Sequence, residues 1–461
     1  VRFLVDNLHA RHTDTDTDTD TGRERAVVLG DEPGLGKTLQ ALRAADELGA
    51  RRVLVVAPAI ARVSWPIEVA KFAPARVPHM RVVAPDARPG AWLDHPDVLA
   101  VFAYDTFSQP RTRGVWLQAL TARAWDLLIL DEAHYLKNAS ARTHAIYGVP
   151  GGRPGLEACC GRVILLTGTL TPNHAGELFQ HYRTFWPHRI GRPMPAPPGH
   201  RALNQPEFEE RFTRYVDTVH GRQISGSRNQ DQLRHALAPV ILRRRRADVL
   251  PELPKLIYQD VPLVASRVPA PASVASWTAH IGRLGDRRLV EDLIAAPADA
   301  ELATLRRWLG ETKAGPAAEW TRERLGVGVD KILLFAWHRS VIARLVECLQ
   351  DFEPVHITGE TAPAARALSV DTFQTRPACR VFIGQILAAG SAITLTAARD
   401  VAIVEPSWVP GENAQAIARA HRLGQPSSVL ASFLYLPNTL DQQIMRAYRR
   451  KAEEVAELYD N

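Results

Sequence analysis

AVVLGDEPGLGKT, Ala26–Thr38, decides how this chain is read. Its first residues form a short apolar run of the kind a buried parallel strand needs. Gly30–Lys37 reads as a glycine-rich turn, and from Thr38 a helical pattern runs on through Leu39–Leu48. Strand, glycine loop and helix in that order turn backbone N–H groups and a helix N-terminus toward phosphate. Gly34 and Gly36 let the backbone curl around Leu35. Lys37 can reach the β- and γ-phosphates of a nucleotide, and Thr38 can offer its hydroxyl to magnesium. The generic loop G-x-x-x-x-G-K-T asks for Gly at position 31. This chain has Asp31, so the loop is a variant form.

About a hundred residues downstream, Trp125–Leu130 is a second buried-strand pattern, and it ends in DEAH, Asp131–His134. Ligands sit beyond the carboxyl ends of parallel strands. Asp131 is placed there to hold magnesium, and Glu132 to take a proton from an attacking water. Near the other end, QAIARAHRLGQ (Gln415–Gln425) opens helically. Arg419 and Arg422, three apart, are expected on one helix face, where two guanidiniums can neutralise a transferring phosphoryl group. The three strings in this order point to an ATP site served by two lobes.

Short continuous apolar runs recur in two sets. The first is Ala26–Leu29, Val53–Ala57, Val98–Ala103, Leu127–Leu130 and Val163–Leu166. The second is Ile332–Ala336, Val355–Ile357, Val381–Ile383, Val401–Val404 and Ser432–Leu436. Helical stretches fall between them, which predicts two α/β lobes. Residues 187–325 are different: Pro-rich stretches, polar helices, few strand signals, and the run Arg243–Arg246, expected either to be solvated or to brace the lobe interface or DNA. Thr13–Thr21 alternates Thr and Asp and reads as a surface loop before the first strand.

The 461 residues exceed one ordinary core. Hydrophobic content of 46% and charged content of 23% fit a globular protein. No apolar run reaches the roughly 18 residues that span a bilayer. No charged-then-apolar leader opens the chain, so secretion is not expected. The first residue is Val1, and the natural N-terminus is expected upstream of it. Net charge of +6 fits a polyanionic partner but is mild over this length. Only seven of the 56 basic residues are lysine, a codon signature of a GC-rich bacterial or phage genome. Cys159, Cys160, Cys348 and Cys379 form no C-x-x-C pair, so neither zinc nor a disulfide framework is expected.

Taken together, the blocks resemble the Swi/Snf-type ATPases of helicase superfamily two, in their annealing-helicase-like and bacterial or phage branch. DEPGLGKT is similar to DEMGLGKT, including the Asp. VLVVAPAIARVSWPIE (Val53–Glu68) is similar to the next block, and DEAHYLKN (Asp131–Asn138) to DEAH-x-x-KN. LLTGTLTPNHAGELF resembles LTGTP-x-x-N-x-x-x-ELF, with Leu170 for Pro. LRRRRADVLPELPK, ILLFAWHRSVI, HITGET, AAGSAITLTAA, QAIARAHRLGQPSSV and TLDQQI resemble later blocks in order. Pro33, Ala392 and Ala418 depart from the usual Met, Gly and Asp. The adenine-reading Gln is expected upstream of Val1.

The resemblance implies two tandem RecA-like P-loop lobes, parallel sheets covered by helices, with a helical insertion between them. Lobe 1 would span 1–186, a helical protrusion and inter-lobe connector 187–325, and lobe 2 326–461. It implies ATP and magnesium as cofactors and ATP-driven translocation along double-stranded or branched DNA in repair, fork remodelling or phage DNA metabolism. A monomer in the bacterial nucleoid or phage-infected cell is expected, with no membrane association. It adds Gln415 to the catalytic set with Glu132, Arg419 and Arg422. It also implies His134, Thr167 and Thr169 as coupling residues, and Arg62, Tyr104, His338, Arg339 and Thr358 as DNA contacts. Two alternatives stay open: an RNA or single-strand DNA helicase of the same superfamily, and a non-catalytic nucleic-acid clamp.

Overall fold

A computed structural model describes residues 1–8, 24–59, 61–168, 171, 174–195, 198–218, 221–264, 300–389, 393–422, 424–437 and 439–459. The Thr13–Thr21 tract, Thr169, Leu170 and Ala392 lie outside the described residues. The chain forms two compact units. One is built mainly from Val1–Thr213 and Ser227–Arg245, the other from Arg214–Gly226 and Arg246–Glu454.

The strands of the first unit are β1 (Ala26–Leu29), β2 (Arg52–Ala57), β3 (Met80–Val82), β4 (Val98–Ala103), β5 (Trp125–Asp131) and β6 (Cys160–Leu166). Two small sheets follow along the chain, β7 (Gly191–Pro195) with β8 (Pro198–Ala202) and, in the segment that belongs to the second unit, β9 (Thr213–Thr218) with β10 (Gly221–Ser227). β11 (Ile241–Leu242) then returns to the first sheet. The order is β11-β1-β6-β5-β2-β4-β3, with every pairing parallel. Such a sheet must be covered on both faces, and alternate residues of one strand serve two cores. Val28, Val56, Leu130 and Leu165 enter the core beneath the helices Pro110–Thr121, Ala141–Tyr147 and Phe179–Phe185. Val27, Val55, Ile129 and Ile164 enter the core beneath Lys37–Glu47 and Ala61–Phe72.

The second unit repeats the plan. Its strands are β12 (Leu256–Pro262), β13 (Ile332–Ala336), β14 (Val355–Ile357), β15 (Val381–Gln385), β16 (Asp400–Ile403) and β17 (Val429–Tyr435). They run β12-β17-β16-β13-β15-β14, again parallel throughout. Two sheets of parallel strands covered by helices are what the two sets of apolar runs anticipate.

The stretch read as helical also supplies strands to both sheets, which the search for apolar runs misses. β11 is two residues long and runs straight into four arginines. β12 is an edge strand whose exposed Ile257 and Tyr258 break the alternation expected of a buried one. The same stretch ends in a helix of 27 residues, Ala300–Gly326, whose Leu302, Leu305, Leu309 and Ala317 belong to the core of the second unit.

That helix carries Lys313, which is 1% exposed. Its ammonium donates to Asp441 Oδ1 at 2.9 Å and to Leu434 O at 3.2 Å, while Asp441 Oδ2 accepts the Leu436 N–H at 2.8 Å. Removing one partner of a buried pair strands the other charge, at about 3–5 kcal/mol. Lys313→Met is therefore expected to lower unfolding free energy by that amount in urea titration, whereas Arg344→Met, at an exposed i,i+3 pair, changes it by less than about 1 kcal/mol.

Candidate active site

In the first unit Leu29 pairs with Leu166, and Leu166 with Asp131. Three loops therefore leave the carboxyl edge of β1, β6 and β5 side by side. The first is the glycine loop. Gly34 (φ 94°) and Gly36 (φ 72°) are left-handed, and Gly36 caps the helix Lys37–Glu47. A β-carbon at either would be strained. Lys37 Nζ donates to the carbonyl of Asp31 at 2.7 Å. Burial pushes the lysine pKa below its ordinary value, and the negative charges of Glu132, Asp31 and Asp131 oppose that shift.

Asp31, where the generic loop has Gly, is wholly buried. Its Oδ1 accepts the backbone N–H and Nε–H of Arg244, each at 3.1 Å; its Oδ2 accepts Gln40 Nε2 at 3.1 Å and an Nη2 hydrogen of Arg244. Gln40 closes the network by donating to Leu35 O at 2.9 Å and accepting from Arg244 at 2.6 Å. The variant residue is thus a structural anchor. It accounts for one arginine of the run Arg243–Arg246. Arg243 donates to Gly168 O at 3.4 Å, and in the second unit the buried Arg246 donates to His421 O at 2.9 Å.

The second loop carries the carboxylates. Burial and the neighbouring Glu132 charge push the Asp131 carboxyl up to about 6, against the opposing effect of the Trp65 indole, whose N–H donates to Oδ2 at 2.9 Å. Glu132 sits at φ 50°, in the left-handed region. His134 Nδ1 lies 3.3 Å from Glu132 Oε2 and 3.2 Å from Thr167 Oγ1. Thr167, at the head of the third loop, is buried and donates its N–H to Leu29 O. Lys137, after DEAH, pairs with the buried Glu177 at 2.6 Å. Gly34, Leu35, Gly36, Lys37, Thr38, Asp131, Glu132, His134 and Thr167 therefore share one edge; Thr169 is outside the described residues.

Tyr104 needs correction as a DNA contact. It is 1% exposed, its hydroxyl donates to Asp131 O at 2.9 Å, and its ring stacks on Tyr135 at 5.3 Å. It is a strut under the acidic loop. Arg62 lies in the first turn of Ala61–Phe72, half-buried.

In the second unit the helix Pro410–Ile417 contains Gln415 but stops before the arginines. Arg419 and Arg422 sit in the turn that follows, so sharing a helix face is not what groups them. Leu395 N–H donates to Arg419 O at 2.9 Å, and Arg422 Nη1 donates to Ile393 O at 3.3 Å. The buried Gln425 fixes the turn by donating to Thr396 O, Ala398 O and Ala420 O.

His338 and Thr358 follow β13 and β14 at the carboxyl edge of the second sheet. The buried Glu405 accepts the backbone N–H groups of Trp337 and His338 at 3.0 and 2.9 Å and lies 2.7 Å from His338 Nδ1. Gln385 joins these loops, donating to Trp337 O at 3.1 Å and accepting the Gly359 N–H at 2.9 Å. Arg339 is exposed and paired with Glu360. Trp65, Arg244, Gln385, Glu405 and Gln425 escape sequence reasoning. Trp65, Arg244 and Gln425 stand inside the quoted blocks, Gln385 and Glu405 outside them, and in none of the five is the partner that gives it its place readable from the string.

Models of the SNF2-related domain and of the helicase conserved C-terminal domain match residues 17–263 and 323–424. The chain is 28% identical over 444 residues to the DNA annealing helicase and endonuclease ZRANB3 of Bos taurus, covering 94% of this chain and 38% of that protein. It is 28% identical over 439 residues to the SWI/SNF-related matrix-associated actin-dependent regulator of chromatin subfamily A-like protein 1 of Drosophila melanogaster, covering 94% and 53%. The chain thus spans about half or less of the length of these relatives. A solved structure, the Sulfolobus solfataricus SWI2/SNF2 ATPase core in complex with dsDNA, matches at 21% identity and a TM-score of 0.40, covering 94% of this chain and 92% of that one.

The raised Asp131 carboxyl fixes a pH dependence. An acid whose pKa is higher folded than unfolded penalises the fold once both states are ionised. Asp131→Asn removes that penalty. In metal-free buffer the variant is expected to be more stable than the parent by roughly 1–3 kcal/mol above pH 6. The gap should close as pH falls below about 4, as followed by denaturant titration across the pH range.

Proposed function

The chain belongs to the SNF2-related family, and on that footing we propose that it is a DNA-dependent ATPase that couples hydrolysis to translocation along double-stranded DNA. The observation that carries the proposal is the gathering of Lys37, Asp131 and Glu132 at one sheet edge beside a left-handed glycine loop. In this reading the backbone N–H groups of Gly34–Lys37 and the Lys37 ammonium hold the β- and γ-phosphates. Glu132 takes the proton of the attacking water onto its carboxylate. Arg419 and Arg422 neutralise the charge that builds on the transferred group, with Gln415 from the same block. An Asp131 carboxylate crowded by Glu132, with the Thr38 hydroxyl, is a hard oxygen donor set that suits magnesium. When bound, that ion would neutralise phosphate charge.

His134 touches both Glu132 and Thr167 and so links the water-activating residue to the end of β6. We assign it, with Thr167 and Thr169, to coupling. Arg62, His338, Arg339 and Thr358 are the proposed track contacts. They would meet phosphates and be indifferent to sequence. Glu405 holds the Nδ1 side of His338, which leaves Nε2 as the atom to meet a phosphate oxygen. The setting we propose is repair, fork remodelling or phage DNA metabolism on duplex or branched DNA, by a monomer in the bacterial nucleoid or the infected cell. No helix among the described residues is long and apolar enough to cross a membrane.

ATP turnover measured with no nucleic acid, single-stranded, duplex and branched DNA, and RNA tests the proposal. Duplex or branched DNA is expected to stimulate turnover, and raising salt to weaken that stimulation steeply. Full-rate turnover without DNA would rule the proposal out. Robust opening of forked duplexes would favour the helicase reading, and DNA binding without turnover the clamp. Glu132→Gln should cut stimulated turnover at least about 100-fold while ATP still binds. Arg422→Ala should cut it by about 10³-fold or more, since a guanidinium on the transferred group contributes about 10³–10⁵.

A further inference from the structure

The first unit has a cleft of about 850 Å3 between the helices Pro110–Thr121 and Ala141–Tyr147 and the loop 148–154. That loop runs on toward the amino end of β6, and none of the residues that border the cleft belongs to the phosphate loop. Three cationic or cation-forming side chains border it, Arg113, His144 and Arg153, and no carboxylate does. None of the three has an ion-pair partner among the described residues, in a unit whose other arginines commonly do, among them Arg25, Arg51, Arg76, Arg123 and Arg189. Leu117, Ala145 and Val149 give the cleft an apolar floor.

The arm that carries Arg153 is built to be stiff. Its sequence is GVPGGRPG, Gly148–Gly155. Val149 N–H donates to Arg153 O at 3.2 Å, Gly152 N–H donates to Val149 O at 2.9 Å, and Arg183 donates to Gly148 O at 3.3 Å. Gly148 is left-handed at φ 73°, and a β-carbon on Gly155 would come within 2.4 Å of Ile146 O. Two ends that approach this closely hold the loop in one shape, so little ordering entropy remains to be lost when Arg153 engages a ligand.

We propose that this cleft is a docking site for an acidic amphipathic peptide segment of a protein partner. Such a segment sets carboxylates against Arg113, His144 and Arg153 and aliphatic side chains against Leu117 and Val149. The apolar floor argues for peptide over nucleic acid, whose protein interfaces are more polar, and no Phe, Tyr or Trp lines the cleft for a base to stack on. Because no residue of the glycine loop or of Asp131–His134 lines the cleft, the proposal stands apart from the nucleotide chemistry.

The test uses the full chain and fluorescence anisotropy with a labelled 12-residue peptide of alternating Glu and Leu. Saturable binding is expected, with affinity at least tenfold weaker in Arg113→Glu/Arg153→Glu and severalfold weaker in Val149→Ser. It should be unchanged in Arg43→Glu, an exposed charge on the far helix. Basal ATP turnover and thermal unfolding of all variants should match the parent. No saturable binding, or equal binding by the double reversal, overturns the proposal. So does equal affinity for a peptide of glutamates alone. A double reversal that weakens binding of a 20-base-pair duplex while sparing the peptide makes the cleft a DNA contact and likewise overturns it.

Discussion

A carboxylate shut away from water must be met by donors, and Asp31 meets them in Arg244, 213 residues further along the chain. That one pairing fixes the shape of the phosphate loop from behind. It receives a backbone N–H and a guanidinium from the segment after β11, and it holds Gln40 on the first turn of the following helix. The carbonyl of the same aspartate steadies the Lys37 ammonium. An unmet carboxylate at this depth would cost several kcal/mol, so the loop and the returning strand are set together. The two-residue strand β11 is too short to keep its register by ladder bonds alone; the Asp31 network supplies what it lacks.

The second unit uses the same device at its own carboxyl edge. Glu405, buried just past β16, gathers the N–H groups of Trp337 and His338. The backbone of Gly310 approaches so closely that a β-carbon there would sit 2.1 Å from Glu405 Oε1. The long helix Ala300–Gly326 is thereby held against the strand ends that carry the proposed track contacts. Arg306, one turn earlier, lies over the Trp408 ring at 4.7 Å and donates to Pro406 O; burial pushes its pKa down to about 10. In both units a buried acid, rather than the exposed charges around it, positions the loops.

Much of this was legible because it depends on local pattern. Val53–Ala57, Val98–Ala103 and Ile332–Ala336 announce themselves as strands since both their faces are covered, and the glycine loop since few residues tolerate its backbone. What stayed hidden depends on partners distant in sequence. Nothing in LIYQDVP marks it as the edge of a sheet whose next strand is Val429–Tyr435. QAIARAHRLGQ does not show that the helix ends at Ile417, because its closing Gln425 fixes the turn by reaching Thr396 O and Ala398 O, outside the string, as well as Ala420 O. The burial of Tyr104 is hidden for the same reason: its hydroxyl reaches Asp131 O at the end of β5, which lies beyond β2 in the sheet.

Glu132 adopts a backbone twist that glycine accepts freely and that a side chain resists by about 1–2 kcal/mol. The acid immediately before it is itself held away from its ordinary ionisation. The turn that does the proposed proton transfer is therefore the least comfortable part of its sheet edge. A chain selected only to fold would favour glycine at 132 and a neutral residue at 131. That this one keeps two acids there sets the demands of chemistry against those of stability at a single pair of positions.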